Sequence, residues 1–176
     1  FVLKDNFHGA SGEEKQLLSR LNFACNKGTV SKEIDKSEIN YLTGGWLEEF
    51  CFASVSALLG KGIDDAVIGL QLRNSQGGNN EFDIMFTKDN ALYFIECKSL
   101  DQHEDKKADA LYKIGALQKE FGLRVESFFV TTSPYILKNG EIIGSIRARA
   151  EQFKTIVISP PEVSQFGEIL KRNLKT

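Results

Sequence analysis

Three short apolar runs in the middle of the chain constrain its fold more than any other feature. They are rich in isoleucine, valine and phenylalanine, and they span residues 65–72, 81–87 and 91–97. Polar segments separate them, at residues 74–80 and at Lys88-Asp89-Asn90. Residues of this kind favour strands, and short polar loops join strands that run antiparallel. The pattern therefore predicts a three-stranded antiparallel meander.

Helical periodicity surrounds this meander. Ser11 and Glu14 match the capping box of a first helix, and a second helix, capped by Thr43, ends at Gly60-Lys61-Gly62 and should bury Trp46. After the meander the pattern predicts alternating helices and strands. The helices span about residues 104–121 and 141–152 and a segment beyond Pro160-Pro161, and the strands span about residues 126–132 and 154–159. The predicted fold class is α/β, with a mixed central β-sheet flanked by helices, in the order αβββαβ followed by α, β, α.

Length and composition describe a globular chain of about one domain. With 41% hydrophobic and 26% charged residues among 176, a disordered or collagen-like chain is excluded. The longest apolar run, residues 91–95, is far shorter than the roughly 18 residues of a membrane span. Three widely spaced cysteines without a leader pattern predict reduced thiols in the cytoplasm. The single methionine, Met85, is internal, so we expect the chain to be part of a longer protein.

The polar stretch from residue 26 to residue 40 predicts a loop or a small structured connector, with a boundary near Tyr41. This gives two parts. Residues 1–40 would be an N-terminal helix and connector, which a preceding domain would explain, and residues 41–176 would form the main domain.

Charge and histidine content limit the chemistry. The formal net charge of -2 provides no general attraction for phosphate, so nucleic-acid binding needs a local patch or a bound cation. The chain has two histidines, His8 and His103, too few for a zinc site of paired Cys and His ligands. A metal ion would therefore be bound mainly by oxygen.

Two acidic segments meet in the predicted hairpin. Asp83 ends the segment Glu81-Phe82-Asp83, and after twelve intervening residues Glu96 begins Glu96-Cys97-Lys98. A two-residue or a four-residue loop would place Asp83 directly opposite Glu96, whereas an odd loop or a bulge would shift the register by one. In the even registers both carboxylates and Lys98 share one face, because strand residues two apart point the same way.

Like charges directly opposite each other destabilise a sheet by up to about 1 kcal/mol, and a divalent cation removes that objection. Lys98 would lie beside such a cation and face the same phosphate, which outlines a site for phosphodiester hydrolysis. Alternatively, Glu81 pairs with Lys98 and leaves Asp83 and Glu96 as solvated charges. The setting of Glu96 argues against this alternative. Glu96 follows the apolar run 92–95, which is typical of a strand buried on both faces, and buried acidic residues are seldom left without a partner.

These segments resemble the motifs of a known superfamily. An acidic residue at the end of one strand, followed by Glu-Xaa-Lys on the next, resembles the PD-(D/E)XK restriction-endonuclease-like superfamily, although Phe82 stands where the superfamily name has proline. Four motifs together resemble the nuclease domain of the CRISPR ancillary nucleases that carry an N-terminal CARF sensor: Thr43-Gly44-Gly45-Trp46-Leu47-Glu48-Glu49, Asn80-Glu81-Phe82-Asp83, Ile95-Glu96-Cys97-Lys98-Ser99 and Leu111-Tyr112-Lys113-Ile114. The resemblance covers about residues 41–132.

The resemblance implies a role for each matching residue. Asp83 and Glu96 would be ligands of Mg²⁺ or Mn²⁺, Cys97 would offer its backbone carbonyl to the metal, and Lys98 would be the catalytic lysine. Glu48 would add a carboxylate from the first helix of the domain. Glu49 is the alternative, because adjacent helix positions point about 100° apart and one of the two can face the site.

The function implied is a metal-dependent endonuclease of DNA, RNA or both, as the effector domain of a cyclic-oligoadenylate-regulated CRISPR defence protein. A homodimer with a CARF sensor in the parent chain is also implied. The alternatives are a restriction-type or junction-resolving DNA endonuclease and an inactive nucleic-acid-binding module on the same fold. Lys113 and His103 are candidate nucleic-acid contacts, and a basic rim around the groove is a weaker interpretation, since charge runs are usually solvated faces. Its residues would be Lys106, Lys107, Arg147, Arg149 and Lys154.

Overall fold

The computed structural model describes residues 1–73, 79–99, 109–121 and 124–175. The chain divides into two units, Phe1–Leu42 and Thr43–Thr176. The division predicted from the sequence falls two residues earlier, and the assignment of the N-terminal part to a preceding domain stays a prediction.

The N-terminal unit is a small antiparallel sheet with two helices. Its strands lie in the order β1-β3-β2. The elements are β1 (Val2–Asn6), α1 (Gly12–Arg20), β2 (Ala24–Asn26), β3 (Thr29–Glu33) and α2 (Lys36–Asn40). The capping box of Ser11 and Glu14 is confirmed at the start of α1. Part of the segment predicted as a connector is structured, since it forms β3 and α2.

The second unit contains the predicted meander and the helices around it. A π-helical turn, Tyr41–Gly45, leads into its first helix. The elements are α3 (Trp46–Ser56), β4 (Asp65–Arg73), β5 (Asn79–Lys88), β6 (Ala91–Lys98), α4 (Asp109–Phe121), β7 (Val125–Thr131), β8 (Leu137–Lys138), β9 (Glu141–Ile142), α5 (Gly144–Gln152), β10 (Thr155–Ile158) and α6 (Phe166–Leu174).

Five of these strands form one mixed sheet in the order β10-β7-β6-β5-β4. β4, β5 and β6 pair antiparallel, as predicted, whereas β6, β7 and β10 pair parallel through the intervening helices. The parallel neighbours place the carboxyl ends of β6 and β7 at the same edge of the sheet. The predicted mixed sheet flanked by helices is confirmed.

Helices cover both faces of this sheet. On one face α3 and α6 bury Leu47, Cys51, Val55, Phe166 and Leu170 against the strands. On the other face α4 and α5 bury Leu111, Ile114, Ile146 and Ala150. Apolar packing therefore covers both faces of the sheet. Such close packing holds the carboxyl end of β6, which carries Glu96 and Lys98, in a fixed position.

Three sequence-based expectations were wrong in detail. Trp46 is 36% exposed, because α3 turns Leu47, Cys51 and Val55 to the core. Thr43 does not cap α3, whose N-cap is Gly45 without a side-chain hydrogen bond. The helix predicted from residue 141 starts at Gly144, since the preceding residues form the β8-β9 hairpin. The predicted helix residues 104–108 lie outside the described part of the chain.

β4 and β5 each change face at one matched position. Phe82 packs in the core of α4 and α5, whereas Ile84 packs in the core of α3 and α6, although a regular strand would turn both to one side. Asp83 lies between them, and the β4–β5 pairing omits it together with Gly69. Gly69 has a φ of +66°, a conformation that glycine adopts without steric cost. This irregularity is therefore located at the candidate carboxylate.

No helix in the described ranges is long and apolar enough to cross a membrane.

Candidate active site

The hairpin register that brings the two acidic segments together is confirmed. Lys88 pairs with Ala91 and Ile84 with Ile95, across a two-residue turn whose residues both have positive φ. The pairing stops one step short of the predicted Asp83–Glu96 pair. Instead, Asp83 Oδ2 accepts a hydrogen bond of 2.7 Å from the backbone N–H of Cys97.

Glu96 is buried and held by two lysines. It is 4% exposed, with Lys98 Nζ at 2.8 Å from Oε1 and Lys113 Nζ at 2.7 Å from Oε2. Lys98 therefore pairs with Glu96 and, in the described part of the chain, forms no ion pair with Glu81. The alternative of solvated carboxylates is wrong for Glu96.

The two glutamates at the start of α3 differ in burial. Both lie in the first turn of α3, but Glu48 is half-buried and Glu49 is exposed. Burial raises the pKa of Glu48, Lys98 opposes that shift, and the negative charges of Glu81 and Glu96 add to it. Glu48 is therefore close enough to Lys98, Glu81 and Glu96 for their charges to act on it.

The electrostatics of Asp83 reflect burial first and a neighbouring carboxylate second. Burial raises its pKa from 3.8 to about 6, with a further contribution from the negative charge of Glu96. The hydrogen bond from Cys97 and the nearby Lys98 lower the pKa but do not compensate. The cluster of Glu48, Asp83, Glu96, Lys98 and Lys113 thus holds more negative charge than its lysines balance.

Lys98 stays a cation in this setting. Burial lowers its pKa, but the charge of Glu96, its hydrogen bond and the charge of Asp83 together outweigh burial, so that the pKa of Lys98 is raised. An ammonium group in this position can stabilise negative charge and cannot accept a proton at neutral pH.

Further contacts fix the strand that carries these residues. The Cys97 thiol, buried against α3, hydrogen-bonds to the thiol of Cys51, and this bond and burial raise the pKa of Cys97. Ser99 Oγ donates to the backbone carbonyl of Thr43 at 2.5 Å, and Thr132 Oγ1 donates to the carbonyl of Ser99 at 2.8 Å. The end of β6 is thereby tied to β7 and to the start of α3.

Other predicted residues are placed differently. His103, Lys106 and Lys107 lie outside the described residues. Arg147 pairs with Glu141 at 3.5 Å, and the Arg149 guanidinium lies 4.1 Å from the centroid of the Tyr112 ring. Both arginines of the predicted basic rim therefore contact side chains of this chain, Arg147 a carboxylate and Arg149 an aromatic ring.

Two positioning residues were missed by the sequence analysis. Gly69 interrupts an alternating apolar strand, a signal of irregular backbone that the sequence does contain. Ser99 contacts Thr43 across 56 positions of the chain, and no local pattern indicates such a contact.

In this conformation the described residues contain no group of three His, Cys, Asp or Glu side chains close enough to hold a metal ion. The carboxylate of Glu96 is turned to its two lysines, and Asp83 is turned to a backbone N–H.

Two solved structures resemble the chain over nearly its whole length. Protein VC1899 from Vibrio cholerae is 23% identical, with a TM-score of 0.75, and the match covers 98% of this chain and 46% of that one. Can2 from Sulfobacillus thermosulfidooxidans, solved in complex with cyclic tetra-adenylate, is 20% identical, with a TM-score of 0.77, and the match covers 98% of this chain and 48% of Can2. The chain thus spans about half the length of each, and the likeness establishes the fold. No curated protein sequence matches the chain.

The comparison with family models defines an endonuclease domain, which confirms the predicted resemblance to a nuclease domain. The model of the Card1-like endonuclease domain matches residues 35–176. The chain belongs to this family of Card1-like endonuclease domains.

Proposed function

We propose that the chain is a metal-dependent endonuclease domain that hydrolyses phosphodiester bonds through a site formed by Glu48, Asp83, Glu96 and Lys98. The observation that carries this proposal is the arrangement on β5 and β6, where Asp83 accepts the N–H of Cys97 and the buried Glu96 contacts both Lys98 and Lys113. Burial and mutual repulsion raise the pKa of Asp83 to about 6, which a purely structural cluster has no reason to tolerate.

The donor set fits a hard divalent cation. Asp83, Glu96 and Glu48 offer carboxylate oxygens, and Cys97 offers its backbone carbonyl, which are the ligands that Mg²⁺ and Mn²⁺ prefer. Asp83 and Glu48 form no ion pair with any lysine or arginine within the described ranges, so their charge is available to a cation. When bound, such a cation supplies a Lewis acid for a phosphoryl oxygen and lowers the pKa of water.

The chain's own residues orient the substrate and balance its charge. Lys98, held as a cation by Glu96, faces the same side as the carboxylates and stabilises the negative charge that develops on the phosphoryl group. Ser99 and Cys97 keep the end of β6 in place relative to α3, which carries Glu48. Lys113 and His103 stay predictions as nucleic-acid contacts.

A cleavage assay with a matched pair of variants tests the proposal. The protein with Mg²⁺ or Mn²⁺ should cleave members of a panel of labelled DNA and RNA, whereas Lys98→Ala should cleave none and keep its circular dichroism spectrum. Lys61→Ala, a change at an exposed lysine beyond α3, should cleave like the unmodified protein. Full cleavage by Lys98→Ala would contradict the proposal, and binding without any cleavage by the unmodified protein would favour an inactive nucleic-acid-binding module.

For the parent protein we propose a cytoplasmic homodimer in which a sensor domain binds a cyclic oligoadenylate and controls this nuclease. Support comes from Can2, which binds cyclic tetra-adenylate and is about twice as long as this chain. Cyclic tetra-adenylate added to the parent protein should raise the cleavage rate, and light scattering should give the mass of two chains. An unchanged rate with every cyclic oligoadenylate would refute the regulation without affecting the nuclease assignment.

A further inference from the structure

Glu96 is connected to the rest of the fold by two different kinds of contact. Lys98 lies two residues along the same strand, β6, so its contact moves together with Glu96. Lys113 reaches Oε2 at 2.7 Å from a separate element, α4. Of the two lysines, Lys113 is therefore the one that can fix Glu96 relative to a neighbouring helix.

α4 is firmly docked where Lys113 leaves it. Leu111 and Ile114 are fully buried in the same core as Phe94, which shares the face of β6 with Glu96. A Cβ atom built on Gly115 would lie 2.3 Å from the Phe153 ring, so this helix approaches that side chain as closely as glycine permits. Lys113 is thus projected from a rigid position, which is what a residue needs to hold a second side chain in place.

The charges of the cluster are unevenly distributed. Both ammonium groups lie on Glu96, while Asp83 receives a backbone N–H and Glu48 lies within reach of the charges of Lys98 and Glu96. The Lys113 side chain is 38% exposed, so its ammonium group contacts both the buried carboxylate and solvent. A divalent cation that binds to Glu96 must compete with this group.

We propose that Lys113 is a positioning residue that acts through Glu96. It holds Oε2, leaves Oε1 to Lys98, and occupies the carboxylate until a divalent cation binds. This inference rests on the proposed function and assigns to Lys113 an indirect role, in place of the direct nucleic-acid contact predicted from the sequence.

A thermal unfolding cycle without metal tests the contact itself. In the presence of a chelator, Lys113→Met should lower Tm by about 3 °C or more, because Glu96 loses a partner while buried. In a Glu96→Gln background the same change should lower Tm by less than half as much. Equal losses in both backgrounds would overturn the inference, whatever the protein's activity.

Mn²⁺ titration calorimetry and steady-state kinetics test the positioning role. Lys113→Met should bind Mn²⁺ at least about threefold more tightly, because a competing cation is gone, yet its kcat should fall at least about tenfold with little change in KM. Lys113→Arg should restore Mn²⁺ affinity to within twofold. Lys61→Met, which removes the same charge from an exposed position five residues beyond the end of α3, should leave both values unchanged.

Each other outcome counts against the inference. Unchanged or weaker Mn²⁺ binding by Lys113→Met overturns it, and so does a rise in KM with kcat unchanged, which is the result of a direct phosphate contact. If the unmodified protein binds no Mn²⁺ and cleaves nothing, the proposed function fails together with the cation part of the inference. The unfolding cycle then still decides whether Lys113 and Glu96 are coupled.

Discussion

The backbone N–H of Cys97 donates a 2.7 Å hydrogen bond to Asp83 Oδ2, just beyond Ile84–Ile95, the last regular pair of β5 and β6. The Asp83 carboxylate thereby accepts a hydrogen bond from β6 at the point where the backbone pairing of the two strands ends. Cys97 is the middle residue of the Glu96-Cys97-Lys98 motif. The Asp83 side chain is therefore bound to the middle of this motif, at a position where the backbone of β5 no longer pairs with β6.

Asp83 makes the stability of the metal-free protein depend on pH. Its folded pKa of about 6 exceeds the ordinary 3.8, so the folded state binds this proton more tightly and the contribution to stability falls as pH rises. Asp83→Asn removes this effect. With a chelator present, the variant should gain up to about 3 kcal/mol relative to the unmodified protein between about pH 4 and pH 7, measured by urea unfolding. A constant difference would contradict the account.

Gly69 should tolerate alanine poorly although space is available. No atom lies within 4 Å of an added Cβ, but the φ of +66° is unfavourable for alanine by about 1–2 kcal/mol. We expect Gly69→Ala to lower both stability and cleavage, since it disturbs the backbone opposite Asp83. Gly144→Ala, at the start of α5 in equally open space, should be neutral or stabilising. Equal behaviour of the two variants in urea unfolding would refute this.

Cys97 should act through its backbone and not through its thiol. Cys97→Ala keeps the N–H that Asp83 accepts and the carbonyl proposed as a ligand, and it removes the hydrogen bond to Cys51. The change should cost about 1–2 kcal/mol of stability and leave kcat within about threefold. A loss of cleavage by the well-folded variant would show that the thiol itself participates.

The two glutamates at the start of α3 form a matched pair. Glu48→Gln should reduce cleavage at least about tenfold, because Glu48 is half-buried and lies within reach of the charges of Lys98 and Glu96. Glu49→Gln, at the exposed neighbouring position, should cleave within about twofold of the unmodified protein. The opposite ranking in initial-rate measurements would identify Glu49 as the functional carboxylate.

Local patterns in the sequence were sufficient to predict the antiparallel meander, and they included the observed turn at Asp89-Asn90 and its register among the alternatives for the hairpin. They did not predict the irregularity at Asp83, because strand periodicity assumes that Phe82 and Ile84 share a face. The placement of Trp46 was wrong because helical spacing alone does not decide which side of α3 meets the sheet.

Contacts between distant segments were beyond the reach of such patterns. Lys113 was identified as a candidate, but its partner Glu96 lies 17 positions away, on another element. Ser99 and Thr43 each belong to a motif of the family resemblance, but nothing in the sequence indicated that the two residues contact each other. Long-range polar contacts of this kind depend on how helices dock on the sheet, which periodicity does not specify.

The central claim is that the carboxylates of β5 and β6 form a divalent cation site, and Mn²⁺ titration calorimetry tests it most directly. The unmodified protein should bind Mn²⁺ at neutral pH, more weakly below about pH 6 because protonated Asp83 cannot act as a ligand. Asp83→Asn should lose that binding while keeping its circular dichroism spectrum. Absence of binding by the unmodified protein, or equal binding by Asp83→Asn, would contradict the account.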